Sequence, residues 1–392
     1  MANSINNNPF YKYIFQAIEQ KKDNNDNLFF ISDWDIDNNA GIYLNDIILD
    51  TFLCGSQNAS KYFLIDDEFT DIKSEIIKNN NLSIANKNIS ICPSGTSAVF
   101  AALSLLSKEF KNFLLFTPSY FLYQDILLYF GRSLVFFEFI PPNIDFCSME
   151  KIIIENKIHV IVMTDPIFSL GQKIDINLYT IMQKICKKHG IWLLVDGVLS
   201  SCDWDSTPLS ITPNSKIEYL NGYNNYIFID SLPKRIGLNG NKFALLFSHV
   251  EFVKSVNEFL LYSCGSFTSS QFFMLKELYK EDSKCYIIDC IKRLLKFAQE
   301  NYNLISSLLL GSSIALFPAN SGYFASIKIP FSILSTTNEL DSFQKFLDEF
   351  NTITLPLSIF QYNIQDCYAF RINLLKDKQK LLDFVIKLLQ QI

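Results

Sequence analysis

The sequence predicts an α/β fold, with a mostly parallel sheet in a large domain and a small α+β domain beside it. Three observations predict this. The chain has 392 residues, more than one ordinary core accommodates, so two closely joined domains are expected. From about residue 88 to about residue 250, short β-branched or aromatic runs alternate with helical patterns, the signature of successive βα units. Beyond Leu275 the alternation stops, and a long helix-compatible stretch leads into a mixed run of strands and helices.

The clearest strands of the first part are Phe113–Phe116, Leu134–Phe139, His159–Met163, Trp192–Val195, Tyr226–Ile229 and Phe243–Phe247. Each ends near a polar or Gly/Pro-bearing segment, and ligands of open α/β sheets gather beyond the carboxyl ends of strands. The most apolar stretch, Asn112 to Gly131, is broken by Thr117, Pro118, Ser119, Gln124 and Asp125, so it reads as a buried strand followed by a helix, not a membrane span. Cys285 to Leu310 forms one long helix pattern with Ile288, Ile291, Leu294, Leu295 and Ala298 on one face, suited to joining two domains. After it, Tyr323–Ile329, Thr352–Leu355 and Tyr368–Leu374 read as strands, and Leu340–Phe350 and Asp377–Gln391 as helices. The Asn-rich patches Asn6–Asn8 and Asn79–Asn81 read as loops.

Hydrophobic residues make up 49% of the chain and charged ones 19%, with 36 Phe and 18 Tyr, a globular and not a disordered composition. A formal net charge of -6 gives no general basic surface, so neither nucleic acid nor a membrane is an expected partner. The start, Met1 to Phe15, has no charged segment followed by an apolar core and a small-residue cleavage site, so it does not read as a secretory leader and a cytoplasmic location is expected. Nine scattered Cys without a CxxC, and three His, fit reduced core thiols better than zinc or a disulfide framework; no metal is expected.

Five segments carry chemistry. Cys92-Pro-Ser-Gly-Thr-Ser-Ala98 leaves a strand and opens the apolar run Ala98–Leu106. The N–H groups of such a helix start, with the hydroxyls of Ser94, Thr96 and Ser97, suit a dianionic phosphate; the same residues also suit an ordinary cap. Thr117-Pro-Ser-Tyr-Phe-Leu-Tyr123 offers Tyr120 and Tyr123 as flat rings for a bound ligand, or as core in a chain that is 15% aromatic. In Gly190-Ile-Trp-Leu-Leu-Val-Asp196 an acid ends an apolar strand, where an unpaired carboxylate is costly to bury and needs a cationic partner. The alternative, a cap on a following helix, is weakened because Gly197-Val-Leu-Ser200 starts a helix poorly. Asp230-Ser-Leu-Pro-Lys-Arg-Ile-Gly-Leu-Asn-Gly-Asn-Lys242 follows another apolar strand. A lysine attacks an aldehyde only when deprotonated, which burial or a nearby cation favours; Arg235 and Lys242 are cations of that kind. A Ser-x-x-Lys alone is equally common in a solvated turn. Cys367-Tyr-Ala-Phe-Arg371-Ile-Asn-Leu-Leu375 puts an arginine inside an apolar strand, either to grip a carboxylate with its planar fork or to complete a buried ion pair.

In order and spacing, these segments resemble fold-type I pyridoxal 5'-phosphate (PLP) enzymes, as a divergent member of the class I/II aminotransferase-like family, over about residues 60 to 375. That family's Schiff-base segment reads Ser-x-x-Lys, Gly-Leu, a Gly and a basic residue eight positions after the lysine; here stand Ser231, Lys234, Gly237-Leu238, Gly240 and Lys242. The resemblance implies Lys234 as Schiff-base lysine and general base, Asp196 on the pyridine nitrogen, and Tyr120 stacked on the ring with Tyr123 behind it. It implies a phosphate site of Ser94, Gly95, Thr96, Ser231 and Lys242, with Tyr62 sent to the phosphate of a neighbouring subunit. Arg371 is implied for the substrate α-carboxylate.

Three positions depart from the pattern. Lys242 stands where an arginine is usual, and Leu199 where a tyrosine donates to the cofactor's phenolic oxygen. Phe168-Ser-Leu-Gly171 replaces Asn-Pro-x-Gly, and Thr164 to Gly171 instead resembles the α-oxoamine synthases, with Ser169 as the cofactor residue. The implied architecture is the PLP-dependent transferase fold: a seven-stranded, mostly parallel sheet in a large domain over 45–285, a small domain over 286–392, and an N-terminal arm over 1–44 completed with the small domain. The implied assembly is a homodimer, and the implied activity an aminotransferase-like reaction on an amino acid. The departures keep open a PLP-dependent lyase, cyclase, decarboxylase or oxoamine-synthase-type enzyme of specialised metabolism, and last a PLP-binding regulatory or inactive relative.

Overall fold

Runs such as Phe113-Leu-Leu-Phe116 and Tyr226-Ile-Phe-Ile229 are apolar at every position, a pattern that fits only a sheet covered on both faces, and all eight residues are buried. The computed structural model describes residues 9–23, 28–37, 45–63, 69–206, 208 and 210–390. Its strands are, in chain order, β1 (Phe29–Phe30), β2 (Ile89–Cys92), β3 (Asn112–Thr117), β4 (Ser133–Glu138), β5 (Val160–Thr164), β6 (Trp192–Asp196), β7 (Tyr226–Asp230), β8 (Ala244–Phe247), β9 (Ala315–Leu316), β10 (Phe324–Pro330), β11 (Thr352–Ile353), β12 (Leu355–Pro356) and β13 (Cys367–Asn373).

The principal sheet has seven strands in the order β2-β8-β7-β6-β5-β3-β4. Of these, β8 runs antiparallel to both its neighbours, β2 and β7, while β7-β6-β5-β3-β4 pair in parallel. Two reversals cancel, so β2 points the same way as β7. The carboxyl ends of β2, β3, β5, β6 and β7 therefore open on one edge, and each sends out one of the segments singled out above. Helices cover the sheet for local reasons. Gly95–Glu109 buries Ala98, Ala101 and Ala102, whose small side chains allow close approach, together with Leu103 and Leu106. Ile176–His189 starts on Asp175, whose carboxylate accepts from the N–H groups of Asn177 and Leu178, and stops on Gly190 at φ 66°, a left-handed conformation that glycine adopts without strain.

A second, antiparallel sheet has the order β12-β13-β10-β9. Its helices Glu339–Glu349 and Lys378–Gln390 bring Phe346 and Phe384 against Phe370 of β13. The helix Lys284–Leu309 buries Ile287, Cys290, Ile291, Leu294, Leu295 and Ala298, so Ile287 takes the core place expected of Ile288. Far from both in sequence, β1 pairs in parallel with β11 and fastens the segment 28–37 to the C-terminal part of the chain.

Two expectations change. The strand expected over Thr352–Leu355 is split, because β11 pairs with β1 whereas β12 pairs with β13, and buried Thr354 between them is bonded to Tyr368 through its hydroxyl, 2.6 Å away. Asn79 and Asn80 do not lie in a loop. They end the helix Thr70–Asn80, with Asn81 at φ 53° closing it, and their amides serve distant backbone: Asn79 donates to Tyr279 O, and Asn80 Oδ1 accepts from Ile211 and Thr212 N–H. The patch Asn6–Asn8 lies outside the described residues. No described helix is long and apolar enough to cross a membrane.

Candidate active site

A cavity of about 360 Å³ opens at the carboxyl edge of the principal sheet, and Ser94, Gly95, Thr96, Tyr120, Ser169, Asp196, Ser231, Lys234 and Lys242 all line it. Thr96 and Lys242, well over a hundred residues apart, thus line one cavity. At the start of the helix Gly95–Glu109, Ser94 and Ser97 are occupied with each other: Ser94 Oγ accepts from Ser97 N–H at 3.0 Å, and Ser97 Oγ accepts from Ser94 N–H at 2.9 Å. The cap and the anion site therefore coexist, because the N–H groups of Gly95 and Thr96, the first two of the helix, keep their positive ends free for a ligand. Ser231 is occupied as well, since its hydroxyl donates its one proton to Phe243 O at 3.0 Å. Lys242 Nζ has no carboxylate within ion-pair reach among the described residues.

At the floor, Asp196 is buried at the end of β6. Its partner within the protein is a hydroxyl: Tyr123, fully buried in the helix Phe121–Tyr129, donates to Asp196 Oδ2 at 2.5 Å. Tyr123 is thus a support for Asp196, with its ring edge-on to Tyr120. Burial pushes the Asp196 carboxyl above its ordinary range, and the hydrogen bonds from Tyr123 and Val198 N–H, with the charge on Lys234, only partly offset this. Tyr123, held far above its ordinary value by burial and by Asp196, stays a donor. A buried carboxylate whose hydrogen-bond donors among the described residues are all neutral is the arrangement that a protonated ring nitrogen completes.

Lys234 follows β7 in the short helix Leu232–Arg235. Burial, first, and then the charges of Lys242 and Arg371 pull its ammonium down to about 8. Arg235, expected to contribute, does not. Its guanidinium turns inward and pairs with Asp230 at 2.8 Å, both fully buried, and even so burial holds the Asp230 carboxyl up at about 6. The ring of Trp34 lies against Lys234, with Nζ 4.0 Å from the ring centre.

Arg371, in β13, is buried behind this cavity and not on its lining. Four rings surround the guanidinium, Phe324 at 4.5 Å, Trp34 and Phe360 at 5.4 Å and Phe168 at 5.6 Å. Its Nε donates to Ser32 O at 3.1 Å and Nη2 donates to the same oxygen, so Nη1 is the nitrogen left without a partner. Burial pulls Arg371 down to about 10. No ion pair to a described residue accounts for it. Tyr62 lies away from the cavity and is 79% exposed.

A sequence profile described as "Aminotransferase class I and II" matches residues 56–387. The chain belongs to this family. Among solved structures, this aminotransferase-family chain is similar to a double mutant of the Thermus thermophilus aspartate aminotransferase, with a TM-score of 0.82, 11% identity, and 99% of this chain and 98% of the other covered. It is similar to YbdL from Escherichia coli, a protein identified with a methionine aminotransferase function, with a TM-score of 0.81, 15% identity and 100% and 99% coverage. The aromatic aminotransferase of Pyrococcus horikoshii OT3 gives a TM-score of 0.78, 13% identity and 96% and 98% coverage. At these identities the likeness is one of fold. No curated protein sequence matches the chain.

Aminotransferases of this family generally depend on PLP, and the cavity fits such a group. Besides the free helix-start N–H groups and the buried Asp196, Ser169 offers an orphaned donor: its Oγ is buried without a hydrogen-bond partner, and its backbone is held at φ 63°, with its carbonyl accepting from Ser326. Leu199, expected at the phenolic-oxygen side, lines the cavity and contributes no donor. In this aminotransferase-family chain, sequence reasoning missed Trp34, Asp35 and Asn239, which also line the cavity. No motif marks them. Trp34 and Asp35 come from the segment 28–37, and the one signal in it is an aromatic residue set among acids in Asp33-Trp-Asp-Ile-Asp37.

Proposed function

We propose that the chain is a PLP-dependent enzyme acting on an α-amino acid, with Lys234 as the lysine that bonds to the cofactor aldehyde and amino transfer as its reaction. One observation carries this: a lysine amine lowered to about 8 projects into the same cavity as a buried carboxylate, an open helix start and an unpaired second lysine. When bound, PLP supplies an electron sink for the pair of electrons left by a broken bond at the substrate Cα.

The chain's own groups then have separable tasks. Gly95 and Thr96 N–H and Lys242 hold the phosphate, joined by Ser231 once its hydroxyl turns from Phe243 O to the anion, and Asp196, braced by Tyr123, holds a proton on the pyridine nitrogen. Tyr120 limits the tilt of the ring. Once the substrate amine has displaced it from the aldehyde carbon, Lys234 Nζ, deprotonated over much of the range above about pH 8, would take a proton from the substrate Cα and hand it to that aldehyde carbon. Arg371 orients the α-carboxylate through Nη1. The same reading divides the chain into a large domain over 45–285, a small domain over 286–392 and an arm over 1–44. It also favours a homodimer, supported by the exposed Leu49, Phe52 and Leu53 on the helix Asn45–Gln57 and by Tyr62 nearby in sequence.

A second outcome at the same site is favoured by the apolar Leu199 and the single orphaned hydroxyl of Ser169 at the cavity wall: elimination, decarboxylation, cyclisation or acyl transfer in place of amino transfer. Product analysis by mass spectrometry separates the two, using PLP-loaded protein and a panel of amino acids with and without a 2-oxo acid. Repeated turnover only in the presence of the acceptor is expected. Turnover without an acceptor assigns the second outcome, and no reaction with any amino acid rejects both.

A further inference from the structure

The cavity contains one charged group that the reading above leaves without a task. Three carboxylates line it, Asp165, Asp196 and Asp35. Asp165 is paired with Lys216 and accepts from Tyr179 at 2.8 Å and Ser200 at 2.5 Å, and Asp196 is held by Tyr123. Asp35 differs. Its carboxylate makes no hydrogen bond or ion pair to any described residue, although its backbone is fixed on both sides. Asp35 N–H donates to Asp33 Oδ1 at 3.1 Å, and Asn373 Nδ2 donates to Asp35 O at 2.9 Å. The side chain is therefore projected from an anchored segment, at the exposed mouth of the cavity, close enough to Lys234 to act on its charge.

A second unsatisfied acceptor lines the same cavity. The NH₂ end of Asn239 must face Trp34 O, a carbonyl that only accepts, and it donates there at 2.6 Å; Asn239 Oδ1 is left buried with no partner. The rings of Trp34, Tyr120, Phe168 and Phe324 line the same cavity, with Trp34 against Lys234 Nζ and edge-on to Phe324, and Tyr120 against Phe168. Aromatic walls followed by a carboxylate and an amide oxygen match a side chain with an apolar stem and a cationic end, which covers rings with its methylenes and keeps its charge at the water boundary. A neutral or acidic side chain leaves Asp35 unpaired or repels it.

Resting on the proposed function, we propose that Asp35, with Asn239, selects amino acids whose side chain ends in an ammonium or guanidinium group. Asp35 is a specificity residue that touches the far end of the substrate and takes no part in the proton transfers at Lys234.

The test uses full-length, PLP-loaded protein and compares kcat/KM for lysine, ornithine and arginine with that for norleucine, methionine and glutamate. The wild type is expected to prefer the cationic donors over norleucine by about tenfold or more, the range of a charge-assisted hydrogen bond. Asp35→Asn is expected to reduce that ratio about tenfold, and Asp35→Arg to shift preference toward glutamate, with loading of the cofactor followed separately by its visible absorption. Loaded protein that prefers neutral or acidic donors overturns the proposal while leaving the proposed function standing. So does an Asp35→Asn variant in which all donors slow by the same factor, since that places Asp35 on the common α-amino end. A wild-type protein that never loads the cofactor fails at the earlier reading instead.

Discussion

The two halves of the cavity are built by different means. The half against the principal sheet takes Gly95, Thr96, Asp196, Ser231 and Lys234 from the carboxyl ends of strands whose register fixes them. The other half is assembled by closure: Trp34 and Asp35 from the segment 28–37 and Phe168 and Phe324 from two further places in the chain line it, with Arg371 of β13 and Phe360 packed against these rings outside the lining. Two buried arginines show the difference. Arg235, beneath the Lys234 turn, is neutralised by Asp230, whereas Arg371 is held by the carbonyl of Ser32 and four rings. The first belongs to the scaffold. The second has Nη1 without a partner among the described residues, and the part of its cage made by Ser32 O and Trp34 comes from the segment 28–37, which is docked by β1, by Asn373 and by the ion pairs of Lys376 with Asp33 at 2.7 Å and Asp37 at 3.2 Å.

Breaking the scaffold pair is expected to cost most. Arg235→Leu leaves Asp230 as a buried carboxylate without a partner, a loss of about 3–5 kcal/mol. Denaturant unfolding of the purified variant measures it, and Asp230→Asn in the same chain is expected to recover part of it. A loss under about 1 kcal/mol would show that the sheet end is not the rigid half, because ordinary surface changes cost no more than that.

Next in size is the burial of Lys234. In the unfolded chain the ammonium has its ordinary value of 10.5, and in the fold it stands at about 8. Below about pH 8 it is charged in both states and the burial cost weighs fully on the fold. Between about 8 and 10.5 the unfolded chain binds more protons, so stability rises with pH, and above 10.5 the cost is gone. The total is on the order of 3 kcal/mol. Unfolding of cofactor-free protein from pH 7 to 10.5 is therefore expected to show a rise that Lys234→Met lacks. Equal pH profiles for the two would remove the burial argument for a reactive amine.

The smallest and most informative contrast pairs one residue from each half. Asp196→Asn is expected to lower turnover about tenfold to a hundredfold, with cofactor retained, because it weakens the charge-assisted contact to the ring nitrogen. Arg371→Ala is expected instead to raise the KM for the amino acid about tenfold, and Arg371→Lys to restore little, since an ammonium cannot reach both Ser32 O and a carboxylate as a planar fork does. Steady-state kinetics separate the two. If Asp196→Asn moved KM alone, or Arg371→Ala released the cofactor, the assignment of the halves would be reversed.

The sheet half was legible because its signals are local. An apolar strand followed by Ser-Gly-Thr, by Asp, or by Ser-x-x-Lys can be read within a dozen residues, and the strand directions then bring these ends to one edge. Even there, long-range partners were not legible: nothing near Asp196 in sequence announces Tyr123 as its donor, and Arg235 beside Lys234 gives no sign that it turns inward to Asp230. Strand boundaries shifted by about a residue where the end of a strand is also the start of the site, as at Thr164 and Asp196. The other half was nearly silent. Arg371 could be found from the oddity of a cation in an apolar strand, but its cage comes from segments more than 300 residues apart in the case of Trp34 and Phe360. Asp35 sits among other acids of a segment with no periodicity, and only the tertiary docking of that segment distinguishes it from Asp33 and Asp37, which are spent on Lys376.

The central claim is that Lys234 carries the cofactor, and one measurement addresses it directly: loading the purified protein with PLP, reducing it with borohydride, and mapping the added phosphopyridoxyl mass by peptide mass spectrometry. The account predicts a single modified peptide, containing Lys234, and no label at that site in Lys234→Ala. A label fixed on Lys242 or another lysine, or a cofactor bound in the cavity that borohydride attaches to no lysine, would contradict it.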